Sequence, residues 1–538
     1  MLTVTLKRLA AALFLIASVF ALYRKVMRLW WTYDDAWILH IGLVRPWTDA
    51  FTQSDVWPQK LFTPLLTATY ELLLAVAGLD SDRWYRFELL LLAGAAIAIF
   101  AALRLYAKTL PALAGAFLFA AGPPLCSFAT QLMVLHYLEA IILAALSLIA
   151  FVVAFRRMSN ALNVLSAVLY FAAMLAKEIA IPLPVLLLLL PERSPRVRAR
   201  HLLVHGLALA VYMIWRVHIV GGLFGGYGWA IAPREVPALV AMLPWKIVLA
   251  CAGAGLGVGL YTVALMLLGA AQAMRTRRAL VIALVALFFA IAPIAPVSKE
   301  MQRRYAITPW LWMSAAFAVG VSGLRGNARN ALILAAAVGV VIANRQEWTT
   351  EYSHARRMSE EARAYVGLGA DALLRAPAIP AGSMGEFRWL KEEHFKRQPG
   401  TGWFYDDLYL CGAASLAGKR VFEYAPAQRR VIEVTDRIPD FARAYCGSLR
   451  DNAPLRAEFH HRGEALFWRF GPYDDGRYDI VLGGGAQSFP VPREDGFRLA
   501  GVPGLSLRVR YQSPEGWVTY SPEIALDFAR QPDFTWYR

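Results

Sequence analysis

The fold class predicted by the sequence is an α-helical polytopic membrane protein with about eleven transmembrane helices, followed by a C-terminal extracytoplasmic domain of α+β or mostly β type. Three observations predict it. Hydrophobic residues make up 58% of the 538 positions and charged residues only 17%, and the mean hydropathy of +0.44 is far too high for a soluble enzyme. Apolar runs of bilayer length or slightly less follow one another as far as residue 345. From Trp348 onward the chain turns polar and rich in turn-forming residues. The net charge of +16 would point to nucleic acid in a soluble chain. Here much of the basic charge lies in short connections between apolar runs, where positive-inside topology accounts for it, so no nucleic-acid partner is expected and membrane lipid is the expected surrounding.

The first run, LAAALFLIASVFALY, follows Lys7 and Arg8 as a signal peptide would, but no small-residue cleavage site comes after it and Arg24, Lys25 and Arg28 do. It reads as a retained first helix over 9–29. Further runs lie near 88–105, 109–124, 131–155, 161–176, 179–191, 201–220, 245–271, 279–296, 306–323 and 330–345. With the amino terminus in the cytoplasm, the inner connections hold Arg104 with Lys108, Arg156 with Arg157, Arg193 with Arg196, Arg198 and Arg200, Arg275 with Arg277 and Arg278, and Arg325 with Arg329. Glu192 is the only acid among them, and together they outweigh the cluster at Arg24, Lys25 and Arg28 on the outer side. The stretch TPLLTATYELLLAVAG at 63–78 is short, carries Glu71, and has Pro64 in the favoured first-turn position. It is expected as an interfacial or re-entrant helix of the first outer loop, because a further span would turn every later basic loop outward.

The division into domains is expected at 1–346, the transmembrane part, and 347–538, a soluble extracytoplasmic part. After the helix-like EYSHARRMSEEARAYVGLGADALLR come RYDIVLGG, LSLRVRYQ and GWVTYSPEIAL, which read as strands. Cys411 and Cys446 both fall in this part, where an oxidising compartment permits a disulfide, while Cys126 and Cys251 lie in or beside helices as buried thiols.

Chemistry is expected first in WWTYDDAWILH at 30–40, where Asp34 and Asp35 stand as the first helix leaves the hydrocarbon. A carboxylate pair there is a functional-site hypothesis by default; the competing reading is that one of them caps the helix that follows. Three further clusters fall on the same expected face. Lys177 and Glu178 sit in FAAMLAKEIAIPLP between two apolar runs, as a site or as a local ion pair that keeps a helix end soluble. In KEMQRRYAITPW, Lys299, Arg303, Arg304 and Tyr305 precede a helix, as a site or as basic and aromatic membrane anchors. His136 and Glu139 in HYLEA lie three residues apart, hence on one helical face, although a lone His more often packs than reacts. Carboxylates, cations and aromatics at one membrane boundary are what is needed to bind an anionic lipid head group and activate a hydroxyl. Breaking a sugar-phosphate bond calls for cations on the phosphate, supplied by forked Arg and point-charge Lys, and the attacking hydroxyl calls for a carboxylate base. No metal or cofactor is expected.

At these residues the chain resembles the GT-C superfamily of integral-membrane glycosyltransferases, in the branch related to protein O-mannosyltransferases. The resemblance is carried by YDDAWIL, FTPLLTATYELLLAVAGLDSDRWYRFELLLL, LAKEIAIPLPVLLLLL and RRYAITPWLWMSAAFAVG, within residues 1–345. It implies a GT-C-like helical fold and transfer of a sugar from a polyprenyl-phosphate donor, usually with inversion, with the first acid of the pair as base. Asp34 is then the general base and Asp35 its supporting neighbour, while Lys177, Arg303, Arg304 and Tyr305 bind the donor phosphate and Glu178 orients Lys177 or a neighbouring Arg. Arg303 and Arg304 differ by about 100° on a helix, so one of them is expected to point into the site. Related members often show Arg-Pro where this chain has Thr63-Pro64, so the missing cation is Lys60 or absent.

The expected protein is thus a glycosyltransferase of the bacterial inner membrane working on the periplasmic side, with a polyprenyl-phosphate sugar as donor substrate and a protein, lipid or glycan as acceptor. The alternative is a transporter or flippase of lipid-linked sugars, which also needs cationic head-group contacts but often shows internal repeats and midplane charges. A membrane-anchored sugar-binding protein would leave the helices' charges unexplained. Neither donor sugar nor acceptor is written in the sequence.

Overall fold

The computed structural model describes residues 2–57, 61–192, 195–222, 236–292, 294–295, 301–411, 416, 418–462, 465–485, 487–498, 504–527 and 533–537. Two compact units divide the chain: one takes in Met1–Leu29, Ile41–Gly225 and Ala238–Ala355, and the other includes Trp30–His40 and Arg356–Arg538.

The first unit is helical. Its elements are α1 Leu2–Tyr23, the end of α2 Asp35–Val44, α3 Pro64–Ala77, α4 Ser81–Leu103, α5 Thr109–Ala120, α6 Pro124–Thr130, α7 Leu135–Arg157, α8 Asn160–Ala176, α9 Leu183–Leu189, α10 Pro195–His201, α11 Leu203–Val220, nearly all of α12 Val236–Ala252, α13 Leu256–Ala271, α14 Arg277–Ile291, α15 Ile307–Ser322 and the greater part of α16 Gly326–Gly367. Among the described residues, six helical segments are long and apolar enough to cross a membrane: Leu6–Arg28, Ser81–Leu103, Leu132–Arg157, Leu203–Val220, Leu256–Met274 and Gly326–Gly367. A seventh results if α5 and α6, bent by 60° at their junction, count as one. The expected runs at 161–176, 179–191, 279–296 and 306–323 become the shorter helices α8, α9, α14 and α15, of 17, 7, 15 and 16 residues.

Exposure confirms the multi-pass membrane character. Among the described residues, every large exposed apolar side chain except Val236, Phe489 and Phe497 belongs to the helical unit, with Leu203, Leu207, Ile214, Val240 and Leu334 each more than 60% exposed. A soluble monomer does not present such a surface, and hydrocarbon is what covers it. Inside the unit the packing is close. A Cβ on Gly320 would stand 2.0 Å from the Gly269 carbonyl oxygen, so α13 and α15 touch backbone to backbone, the small-residue contact that replaces the hydrophobic effect between membrane helices.

One expected run is corrected. The stretch 245–271 is not one helix: α12 ends at Ala252, Gly253 takes φ +75, and α13 begins at Leu256. The left-handed turn at Gly253 costs little without a side chain. The Ala254 N–H freed by the break donates to Glu347 Oε2 at 2.6 Å, so the polar backbone is satisfied although the surroundings are apolar.

The second unit is α+β. Helix α16 continues to Gly367, but the following ADALLR is not helix as expected. It supplies β1 Ala372–Arg375, parallel to β2 Gly402–Phe404 and β3 Arg420–Ala425, with β4 Arg430–Glu433 at the edge, order β2-β1-β3-β4. A strand enclosed between two others draws its backbone bonds from them, which overrides the helix preference of Ala and Leu. Helices α17 Ala381–Trp389 and α18 Ile438–Gly447 accompany this sheet in the chain. Next come β5 Arg456–Arg462, β6 Ala465–Gly471, β7 Arg477–Leu482, β8 Gln487–Val491, β9 Glu494–Arg498, β10 Gly504–Gln512, β11 Val518–Tyr520, β12 Ile524–Asp527 and β13 Asp533–Tyr537. They form sheets of order β13-β5-β6-β9 and β11-β10-β7-β8, the latter with β12 also on β10. Phe459, Trp468 and Phe470 from the first and Ile480, Val509 and Leu526 from the second share one core. The alternation in RYDIVLGG and LSLRVRYQ is therefore the inward face of a two-sheet sandwich.

Cys411 and Cys446 are joined by a disulfide across 35 residues, while Cys126 and Cys251 are buried free thiols. A closed loop of that length removes unfolded-state entropy worth about 3–4 kcal/mol. Replacing Cys411 by Ser should lower the stability of the second unit by about that much, read as an earlier denaturant midpoint of the full-length protein in detergent; an unchanged midpoint would show that the bridge does not form.

Candidate active site

The acidic segment belongs to the second unit. Tyr33 adopts φ 42, and the chain turns there into α2. Asp34 is half-buried and Asp35 is 1% exposed. Their carboxylates do different work. Asp35 Oδ2 accepts the Thr32 N–H at 2.7 Å and the Thr32 hydroxyl at 3.3 Å, which closes the turn leading into α2 in the way the acid of a capping box reaches back three residues; its Oδ1 has no hydrogen-bond partner among the described residues. Burial pushes the Asp35 carboxyl well above the usual carboxylate range; the Thr32 N–H opposes this and the Asp34 charge adds to it. Asp34 instead accepts a hydrogen bond on Oδ1 from Ser383 Oγ at 2.8 Å. Its backbone carbonyl receives the Trp37 N–H at 3.0 Å and the Ile38 N–H at 3.4 Å. Of the two, Asp34 is the less buried.

The cations and the pair on α7 belong to the helical unit. Lys177 ends α8 in extended conformation, and the chain resumes as a single 3-10 turn, Glu178–Ala180, before Pro182 and Pro184 begin α9. Lys177 is 3% exposed; its Nζ lies 3.3 Å from Glu178 Oε1 and 5.1 Å from the centre of the Tyr137 ring. Glu178 also feels the charge of Arg216 from α11, so an acid between two cations makes the buried charges affordable. Arg304 reaches Gln131 Oε1 at 2.6 Å and Met133 Sδ at 3.9 Å, and lies 5.4 Å from the centre of the Tyr305 ring. His136, on α7, is 5% exposed. Lys177 and Arg304 come from separate segments to one short stretch, 131–137, Arg304 at Gln131 and Met133 and Lys177 over the Tyr137 ring. Glu139, one turn further, takes a 2.5 Å hydrogen bond from Thr69 of α3.

Arg303 goes elsewhere. Its guanidinium pairs with Glu347, the fully buried carboxylate that caps the break between α12 and α13. The two adjacent arginines part ways because they occupy successive positions of a 3-10 turn, Arg303–Ala306. Lys60 and Lys299 lie outside the described residues.

Sequence reasoning missed Arg216, Glu347 and Ser383. Arg216 interrupts the apolar run 201–220 and Glu347 closes another, so an ionisable group in a membrane helix was the available signal for both. Ser383 carries no local signal, since its partner is 349 residues away.

No protein-family model matches the sequence, and no curated protein does. Among solved structures, the archaeal oligosaccharyltransferase AglB from Archaeoglobus fulgidus, in complex with an inhibitory peptide and a dolichol-phosphate, is similar with a TM-score of 0.44 and 11% identity over 90% of this chain and 74% of that one. An Archaeoglobus fulgidus oligosaccharyltransferase tethered to an acceptor peptide gives 0.41 and 12% over 90% and 76%.

The raised carboxyl of Asp35 gives a pH test. The folded state holds the Asp35 proton more tightly than the unfolded chain, so stability from this residue is present in acid and is lost as pH rises from about 4, the ordinary Asp value, through the raised native value. Asp35→Asn cannot titrate. The stability of wild type minus that of Asp35→Asn should therefore fall between acid and neutral pH; a difference independent of pH would show that Asp35 is ionised normally.

Proposed function

We propose that the protein is a membrane glycosyltransferase that moves a sugar from a polyprenyl-phosphate donor to an acceptor hydroxyl on the extracytoplasmic side of a bacterial inner membrane. The observation that carries this reading is that Lys177 and Arg304, from separate segments of an apolar helical unit, both meet the short stretch 131–137, Arg304 at Gln131 and Met133 and Lys177 over the Tyr137 ring. Lys177 is 3% exposed, and an ionisable group in such surroundings is a functional-site hypothesis by default. Lys177 and Arg304 hold the donor phosphate, Glu178 and Arg216 keep Lys177 in place, and Arg303 belongs to the Glu347 cap. Asp34 takes the acceptor hydroxyl proton. The acceptor oxygen then bonds the anomeric carbon while the bond from that carbon to the phosphate oxygen breaks, and polyprenyl phosphate leaves with the electron pair. The sugar carbon inverts. The Cys411 to Cys446 disulfide supports the extracytoplasmic placement of the second unit, because such bonds persist in oxidising compartments. In this reading the C-terminal part of the second unit, Arg356–Arg538, assists acceptor recognition.

The test is an assay of purified protein with a radiolabelled polyprenyl-phosphate hexose. Release or transfer of label supports the enzyme, and translocation across vesicles with the bond intact would replace it by a flippase. Asp34→Asn should lower turnover by roughly 100-fold to 10,000-fold with donor binding largely kept, and normal turnover would remove Asp34 from the role. Lys177→Gln and Arg304→Gln should each weaken donor affinity by about 10-fold to 150-fold. Arg303→Gln should instead lower stability, because it leaves the buried Glu347 unpaired; a donor-affinity loss without a stability loss would return Arg303 to the phosphate.

A further inference from the structure

Helix α17 carries Ser383, Glu386 and Phe387 at positions i, i+3 and i+4, which fall on one face of a helix. Each meets the acidic segment. Ser383 Oγ donates to Asp34 Oδ1 at 2.8 Å, Glu386 pairs with His40 Nδ1, and the Phe387 ring stacks on Trp30 with centroids 5.8 Å apart and planes 24° from parallel. Trp389 adds a second stack, its ring 4.0 Å from that of His40 and 13° from parallel. The Trp30 N–H is held by Ser359 Oγ at 2.7 Å. Thus both ends of the segment are pinned, at Trp30 and at His40, and a third contact falls on the acid itself.

That third contact differs in kind from the other two. Trp30 and His40 hold the segment's course, which an interchangeable apolar or polar pair would also do. Ser383 is 1% exposed, and its hydroxyl is directed at the carboxylate. Its hydrogen bond takes one carboxylate oxygen of Asp34, Oδ1, and not the other. A carboxylate anchored through one oxygen has its rotation about the Cβ–Cγ bond arrested and presents the other oxygen in a constant direction, which is what a proton acceptor needs.

We infer that Ser383, on α17 of the same unit as Asp34, is a positioning residue for that carboxylate, so that the part of this unit after Arg356 acts on the transfer step through Asp34. The role rests on the assignment of Asp34 as base.

Two measurements on the full-length protein separate the inference from that assignment. The first needs no substrate: carbodiimide labelling of Asp34, mapped by mass spectrometry. Ser383→Ala should raise labelling of Asp34 severalfold, Ser383→Thr should restore it, and the buried Asp35 should stay unlabelled in all three. The second is transfer from a radiolabelled polyprenyl-phosphate hexose. Ser383→Ala should lower kcat about tenfold, the low end for a hydrogen bond to a charged group, with KM for the donor unchanged, recovery in Ser383→Thr, and no added loss in an Asp34→Asn background. Unchanged Asp34 labelling in Ser383→Ala overturns the positioning role whatever the kinetics. Changed labelling with normal transfer by Asp34→Asn overturns the base assignment, and the catalytic role of Ser383 with it. A rise at Asp35 as well would mean that Ser383→Ala merely loosens the fold, and would also overturn the inference.

Discussion

Charge inside the helical unit exists on condition that it is neutralised where it stands, because neither hydrocarbon nor packed apolar side chains solvate an ion. The charged groups of the candidate site follow this rule. Glu347, with none of its side chain exposed, holds both the Arg303 guanidinium and the Ala254 N–H at the helix break. Glu178 stands between Lys177 and Arg216. Arg304 spreads its donors over Gln131 and Met133. The same requirement places the helix break, since a freed N–H at Ala254 is tolerable only because a carboxylate faces it.

From this rule comes a division of labour between two arginines that are neighbours in the chain. Arg303 spends its charge on a structural acid. Arg304 donates to the Gln131 amide oxygen and lies over the Tyr305 ring. Lys177 has Glu178 beside it and the Tyr137 ring under its ammonium.

In the second unit a similar logic separates the adjacent acids. Asp35 turns inward, closes the Thr32 turn and is favoured in its neutral form by burial. Asp34 remains partly open and is held by a hydroxyl. Two carboxylates side by side thereby acquire different surroundings, one buried and closing a turn, the other less buried and bonded to a hydroxyl. The outer faces of the helical unit tell the complementary story: side chains such as Ile214 and Leu203 are 72% and 71% exposed, which is stable only against lipid.

By itself the sequence determined the class: apolar runs long enough for a bilayer, a composition change after residue 345, and strands in RYDIVLGG, LSLRVRYQ and GWVTYSPEIAL, because hydropathy and alternation are local properties of consecutive residues. It also singled out Asp34, Asp35, Lys177, Arg304, His136 and Glu139, since an ionisable group in an apolar context is conspicuous without any fold. Tertiary structure decided what depends on distant partners. The run 245–271 read as one helix because Gly253 is common in membrane helices, and only the carboxylate of Glu347, more than ninety residues on, makes a break there tolerable. ADALLR read as helix because Ala and Leu favour it, and only β2 and β3 on either side make it a strand. Arg303 and Arg304 looked equivalent until a 3-10 turn sent them to different neighbours. Ser383 was invisible, because a serine acquires its meaning from the group that its hydroxyl meets, and Asp34 lies 349 residues away along the chain.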